Sequence, residues 1–523
     1  MEAKQTHATF TKNFIKNLIK RKNPDEFLEQ AKDNGLKKTL NAFDLIILGV
    51  GAIIGSGIFA VVGIAAAGGG ESSLGAGPAL VVSMIVAAIA CIFSAFCYSE
   101  FSTMIPVAGG AYTYTFATLG EFAAWMVGWI LMLEYAVGFI AVAVAWSNHF
   151  MQFIKGFSHC LPACIVNPPV WLISDYNSAC KLVPPETIPS FFGLHICLNI
   201  PAFLISLLIT FILTRGMKDS KLMANVMVFI KLAVIALFVF AGAFFVKPEN
   251  WTPFAPNGFE GIFMGAFIIF FAYIGFDALA TTAEECKNPQ KDLPIGIIGS
   301  LLVTTIVYVA VALVLTGMIK TGGGNIPQDF LKAPMAYLMT INNQNWIAGL
   351  ISIGSLAGLT SVLLVLELAA TRILYAMSRD NFLPSIFQKL NPKTQVPVIL
   401  TWIVGIVCII GTVTLDLNVA AELCNFGTFT SFIIVCVAVL ILRKTEPNRP
   451  RSFKVPFSPW FPLLGIFCCG GLMIYSMKFL TTSVLLFPVW VGCGILIYLH
   501  YGYIKNRKAE LKNKNNSTEQ IKE

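Results

Sequence analysis

The sequence predicts an all-α polytopic membrane protein of about 12 transmembrane helices. Three observations carry that prediction. Of 523 residues, 56% are hydrophobic and only 12% charged, where soluble domains hold roughly 45–50% and about 25%. The apolar residues arrive in runs of about 20, the length a helix needs to cross a hydrocarbon core of roughly 30 Å. Most of these runs also lack the polar face that a helix on a soluble core presents.

Twelve such runs lie at approximately 44–67, 78–104, 121–154, 199–214, 222–247, 258–283, 295–319, 346–378, 397–416, 419–443, 460–480 and 483–504,. The placement of Lys and Arg orients them. With the N-terminus inside, 29 of the 36 basic residues fall on the cytoplasmic side, six fall outside, and Lys231 alone lies deep in a span. That asymmetry puts both termini in the cytoplasm. The net charge of +8 then faces the anionic cytoplasmic leaflet, and no nucleic acid partner is needed to explain it.

The chain divides into a basic cytoplasmic N-tail (1–43), a ten-helix core (44–443), two additional transmembrane helices (444–504) and a cytoplasmic C-tail (505–523). Residues 1–43 lack an apolar stretch of their own, so the first span is expected to serve as an uncleaved insertion signal. Within this tail Phe10, Phe14, Ile15, Leu18 and Ile19 share one helical face. That is the pattern of an amphipathic helix on anionic lipid, with a disordered basic tail as the competing reading.

The first run, DLIILGVGAIIGSGIFAVVGIAAAGGG, interrupts the membrane pattern. Gly costs about 1 kcal/mol against Ala inside a helix. Close helix packing accounts for the GxxxG spacing of Gly51 and Gly55. It does not account for Gly55-Ser56-Gly57, where two glycines weaken the helix at one point near mid-membrane. Unwound backbone survives at that depth only against protein or a water-filled cavity. Its N–H groups then form an anion site suited to a carboxylate. The same residues fit a GxGxxA dinucleotide pattern, but no strand precedes them and no βαβ unit surrounds them.

The sixth run, FMGAFIIFFAYIGFDALATTAEECKNP, repeats the interruption. Gly275 follows Ala272-Tyr273-Ile274 near its middle, and Asp277 comes two residues later. An acid inside a membrane is costly unless it faces protein or water. The two weakened helices are the first members of successive sets of five. Corresponding breaks in two halves point to a 5+5 inverted-repeat transporter fold with broken helices 1 and 6 and a site at the midplane.

Three further charged residues are buried by position. Lys231 sits about nine residues inside the fifth run, roughly 13 Å by helix rise. Snorkelling is strained from that depth. The functional alternative is an amine that gains and loses a proton during a cycle. Glu134 reads as a structural partner for a base or a backbone group. Glu367, about 18 Å from the cytoplasmic side, is a candidate for facing the substrate path and favouring a cation. The five His are scattered, and no GxSxG, HExxH or CxxC spacing occurs. Neither enzyme chemistry nor a metal or other cofactor is expected. Cys160, Cys164 and Cys180 share one long loop with Cys197 at its end, where an oxidising environment would allow a disulfide.

Five stretches, taken in order, resemble the amino acid–polyamine–organocation superfamily, and within it the bacterial cationic amino acid transporter-like permeases. They are GLKKTLNAFDLIILGVGAIIGSGIF, YSEFSTMIPVAGGAYTYTFATLGEFAAWMVGW, NVMVFIKLAVIAL, FFAYIGFDALATTAEECKNPQKDLPIGII and ATRILYAMSRDNFLP, running from Gly35 to about Pro397. The resemblance implies a proton-coupled symporter of cationic or small neutral amino acids in a bacterial inner membrane. It implies that N–H groups of Gly55, Ser56 and Gly57 hold the substrate carboxylate, with Ile53 and Ile54 along its wall. Freed carbonyls among Phe271, Ala272, Tyr273, Ile274 and Gly275 would accept the α-ammonium. Lys231 would stand where sodium-coupled cousins bind an ion, which implies a proton as the coupling ion. An amino acid exchanger, a polyamine carrier and an amino-acid receptor without flux are the alternatives, and polyamines lack the carboxylate that the first break suits. An accessory membrane subunit is left open.

Overall fold

The computed structural model describes residues 20–23, 38, 40–68, 74–107, 109–156, 161–191, 194–195, 197–215, 220–321, 326–392, 394 and 396–500. The tail helix expected around Phe10–Ile19, Cys160 and the C-tail lie outside these residues. Among the described residues, helical segments fall within each of the twelve apolar runs. Eight are long and apolar enough to cross a bilayer: Gly77–Met104, Glu121–Lys155, Val226–Ala243, Gly258–Ala283, Pro289–Met318, Asn345–Arg379, Leu417–Thr445 and Thr482–His500. Ala42–Ile53 and Gly57–Ala67 meet at 46° and make a ninth, bent span. The remaining three runs form shorter apolar helices, Ile200–Arg215, Val398–Thr414 and Trp460–Ser476. The protein is a multi-pass α-helical membrane protein, and we number these twelve segments in chain order.

Burial sorts the helices into centre and rim. The most apolar stretches of the third helix (Glu121–Lys155) and the sixth (Gly258–Ala283) are 83% buried, against 22% for the twelfth (Thr482–His500). Outward-facing residues on the peripheral helices are themselves apolar. Leu208 and Phe211, Phe240, Ile306, Ile410, Phe467 and Leu485 are all exposed, an arrangement that water would oppose and hydrocarbon accepts. Inside, small residues let helices approach closely. A Cβ on Gly49 would lie 2.5 Å from Ser300 Oγ, and one on Gly296 would lie 2.6 Å from Leu45 Cβ, so the first and seventh helices touch at both glycines.

Polar residues mark the helix ends. Asn41 caps the first helix in a capping box, accepting from the Asp44 N–H at 3.0 Å while Asp44 accepts from the Asn41 N–H at 3.2 Å,. Asp416 caps the tenth helix (Leu417–Thr445) by accepting from the Val419 N–H at 2.8 Å,. At the end of the second helix Glu100 is buried and paired with Arg443 and, at 3.2 Å, with Arg451 Nε, and it accepts from the Val455 N–H at 2.7 Å. This carboxylate fastens the connection between the tenth and eleventh helices to the bundle. In the long loop Cys164, Cys180 and Cys197 are free thiols. The same loop carries a two-residue hairpin pairing Ser190 with His195 and Phe191 with Leu194.

Candidate functional site

Both glycine-weakened helices come apart, at places that differ in detail from the sequence expectation. The first helix ends at Ile53, and Ile54 turns to extended backbone at ψ 101°. The helix resumes as a wide π-type turn over Gly57–Val61 before the α-helical Val62–Ala67. The break therefore sits at Ile54–Gly55, one step before the expected Gly55-Ser56-Gly57. Gly57 serves closeness: a Cβ there would lie 2.2 Å from Ala272 Cα. In the sixth helix a 3₁₀ turn over Phe271–Tyr273 gives way to extended backbone at Ile274, and the chain resumes as a 3₁₀ helix from Asp277 to Glu285. Gly275 has φ 121°, a conformation that side-chain-bearing residues rarely adopt. A Cβ at Gly275 would also meet Ala52 O at 2.9 Å, so the two breaks touch.

A helix broken in mid-membrane leaves carbonyls and N–H groups without intrahelical partners, and three side chains answer for them. Lys231 on the fifth helix (Ser220–Ala243) is fully buried. Its Nζ donates to Gly51 O at 2.5 Å, Ile54 O at 2.9 Å and Ser361 Oγ at 3.3 Å. A cation at the C-terminal end of a helix also opposes the negative pole of its dipole. The Tyr308 hydroxyl bridges the breaks, lying 2.8 Å from Ala272 O and 3.2 Å from Ile53 O. Asp277 accepts from the Gly275 N–H at 3.3 Å and from the Tyr135 hydroxyl at 2.8 Å, tying the sixth break to the third helix.

Between the breaks lies a cavity of about 30 Å³, space for about two or three water molecules. Gly55, Ser56 and Gly57 of the first break and Ile274 and Gly275 of the second line it. Ile53, Val142, Phe271, Val362, Leu366 and Ala369 complete apolar walls, and Tyr135 brings the polar edge. Ser56 Oγ is buried there without a hydrogen-bond partner among the described residues. Such an orphan costs about 1–3 kcal/mol until a ligand or water engages it.

The structure gathers some expected site residues here and sets others apart. Ile53, Gly55, Ser56, Gly57, Phe271, Ile274 and Gly275 line the cavity, whereas Ile54, Ala272 and Tyr273 do not. Ile54 presents its carbonyl to Lys231, Ala272 gives its carbonyl to Tyr308, and the Tyr273 hydroxyl donates to Met84 O at 3.1 Å. Glu134 is fully buried beside Thr428 and Ser431. Those hydroxyls donate to Cys424 O and Gly427 O on their own helix, and among the described residues the Glu134 oxygens have no hydrogen-bond partner.

Glu367 lies apart from the cavity-lining residues. Val362, Val365, Leu366 and Ala369 of the eighth helix (Asn345–Arg379) face the cavity. Helical rotation turns Glu367 away from them, toward Thr210 of the fourth helix and Cys408 of the ninth. Tyr135, Tyr308 and Ser361 were not expected from sequence, because lone hydroxyls on otherwise apolar helices give no pattern to read.

The description Amino acid permease belongs to a family model that matches residues 40–498. Over 495 residues the chain is 41% identical to the methylthioribose transporter of Bacillus subtilis (strain 168), an alignment covering 94% of this chain and 99% of that protein. It is also 41% identical to the branched-chain amino acid permease BcaP of the same bacterium, over 90% of this chain and 94% of that one. To cationic amino acid transporter 9, chloroplastic, of Arabidopsis thaliana it is 34% identical, over 90% of this chain and 78% of that one. With two helices broken at facing glycines and a match spanning nearly all its helices, the chain belongs to the amino acid permease family of the amino acid–polyamine–organocation superfamily.

Proposed function

We propose that the protein is a secondary active transporter that carries a neutral, aliphatic amino acid by alternating access, coupled to protons through Lys231. One observation carries the substrate class. The cavity at the two breaks is lined by the glycines and Ser56 of the breaks and by apolar residues, and among the described residues no acidic one lines it. Peptide dipoles suit the shared ammonium and carboxylate, while Val362, Leu366 and Phe271 suit an alkyl side chain and offer a cationic one no carboxylate. The name of the Bacillus subtilis relative BcaP, a branched-chain amino acid permease, agrees with this.

The reading takes all twelve helical segments as spans, with both termini cytoplasmic in the plasma membrane. Residues 44–443 are the transport core and 444–504 an added pair. The distribution of basic residues supports that orientation. At about 30 Å³ the cavity is too small for an amino acid, so loading requires the half-helices to swing at Ile54–Gly55 and Ile274–Gly275. The chemistry of Lys231 supports the proton role. An ammonium has three donors and no acceptor, matching Gly51 O, Ile54 O and Ser361 Oγ. A neutral amine leaves one of the three unmatched and loosens the first break.

A thermal-shift screen of the purified protein tests the substrate class, since a ligand of the folded state raises stability with concentration. Leucine, isoleucine and valine should rank above lysine and arginine; the reverse ranking would sink this assignment. Methylthioribose belongs in the same screen as a second reading. The relative that carries its name matches almost the full length of both chains, and the orphan Ser56 Oγ would suit a sugar hydroxyl. Uptake into vesicles with and without internal amino acid separates net transport from exchange.

A further inference from the structure

We propose that Gly138, within the third helix, sets how large a substrate side chain the central cavity accepts; the assignment rests on the amino acid reading of that cavity and names the residue that measures its substrate. Among the described residues four glycines line the cavity: Gly55, Gly57, Gly138 and Gly275. Gly55, Gly57 and Gly275 belong to the breaks. Gly138 does not. It lies inside the unbroken α-helix Glu121–Lys155, where glycine is the least favourable residue after proline.

A glycine in a helix is ordinarily explained by a left-handed backbone or by a neighbour too close for a side chain. The backbone at Gly138 is helical, so the first reason is absent. The second holds elsewhere on the same helix: a Cβ at Gly128 would lie 2.6 Å from Met377 Sδ. At Gly138 a Cβ would lie 3.3 Å from Cys424 Sγ and 3.6 Å from Leu366 Cδ1, so the side chains need yield only slightly. Both of these neighbours line the cavity. What the glycine leaves is room at the corner where the third, eighth and tenth helices meet.

That corner is the firm part of the site. Glu121–Lys155, Asn345–Arg379 and Leu417–Thr445 are continuous helices, and sites on such elements hold their shape better than sites on irregular backbone. Cys424 Sγ donates to Glu134 O at 3.3 Å, which fixes the thiol against the turn of the third helix that precedes Gly138. With the ammonium and carboxylate held at the breaks, the substrate's side chain meets an isobutyl group, a thiol and the bare Cα of Gly138. A branched aliphatic side chain suits these surfaces. A methyl group at residue 138 would take the space of one carbon from it, and one methylene in an apolar pocket changes discrimination by roughly 10–200-fold.

The test is ligand binding to the full-length protein in detergent, read as thermal shift over concentration series of glycine, alanine, valine and leucine. In Gly138→Ala the leucine concentration giving a half-maximal shift should rise at least about tenfold, that for valine by less, and those for glycine and alanine by less than about twofold. Without ligand the variant's midpoint should not fall, because alanine favours the helix. Gly138→Ala/Cys424→Ala gives back the space of the sulfur and should recover leucine binding. A glycine needed only for packing would behave differently: its loss would lower the unliganded midpoint and weaken all four ligands alike. That result, or a double variant no better than Gly138→Ala, would overturn the proposal. Wild-type protein that binds neither valine nor leucine would refute the aliphatic reading of the cavity, and this assignment with it. Wild-type protein that binds leucine, beside a Gly138→Ala variant that binds it equally well, would refute this assignment alone.

Discussion

The two breaks solve one problem with different chemistry. At the first, a buried ammonium donates to the carbonyls of Gly51 and Ile54. At the second, a tyrosine hydroxyl takes the Ala272 carbonyl and a carboxylate takes the Gly275 N–H. Gly275 holds its turn by a φ of 121°, whereas Gly55 needs no such angle and its break depends on outside partners. The difference teaches where regulation can enter. The first break is held by a group that proton loss can change, and the second by backbone conformation and a network that includes a carboxylate partnered by Tyr135. The proposed proton coupling would act on the first break through its lysine and leave the second as the more fixed counterpart.

That contrast can be broken most severely where the halves touch. Gly57→Val would drive a side chain into the backbone of Ala272, and overpacking a tight contact costs about 1–3 kcal/mol or more. Uptake in proteoliposomes should fall by about 100-fold, equivalent to ~2.7 kcal/mol in rate; near-normal uptake would show the breaks need not touch. Tyr308→Phe comes next, because it removes the only bridge between the broken ends that the described residues show. Leaving buried carbonyls unsatisfied costs about 1–3 kcal/mol, read as a lower midpoint in thermal unfolding. An unchanged midpoint would mean that water or another group replaces the hydroxyl.

Tyr135→Phe should act more gently. It deletes one hydrogen bond to Asp277, worth about 1.5–3 kcal/mol for a charged acceptor or about 0.5–1.5 kcal/mol for a neutral one, and Gly275 retains its own bond to that carboxyl. Uptake that falls as far as in Tyr308→Phe would argue that Asp277 orders the second break more than its geometry suggests. Glu367→Gln should do least to substrate choice. Its side chain points toward Thr210 and Cys408, so the ranking of amino acids in competition assays should not change. A shift away from cationic substrates would restore Glu367 to the substrate path.

Much of this was legible in the sequence because hydrocarbon imposes simple rules. Runs of apolar residues located the long helical segments, and Gly275 announced its break because a glycine near an acid at mid-membrane has few other uses. The first break was displaced by one step: glycines weaken a helix over a whole turn, and the carbonyls held by Lys231 and Tyr308 decide where it opens. Lys231 stood out as a charge in lipid, but its acceptors lie 180 and 177 residues away, beyond any local pattern. The orientation of Glu367 was missed for a related reason. With apolar residues on every side of the eighth helix, periodicity could not say which face meets the cavity and which meets its neighbours.

The central claim is that Lys231 governs the first break through its proton. Reconstituted wild-type protein and Lys231→Met should be compared for leucine accumulation driven by an inward proton gradient, with leucine binding measured on both. The account predicts that the wild type accumulates leucine against its gradient, while Lys231→Met binds leucine yet only equilibrates it, whatever the pH difference. Gradient-driven accumulation by Lys231→Met at the wild-type level would contradict it.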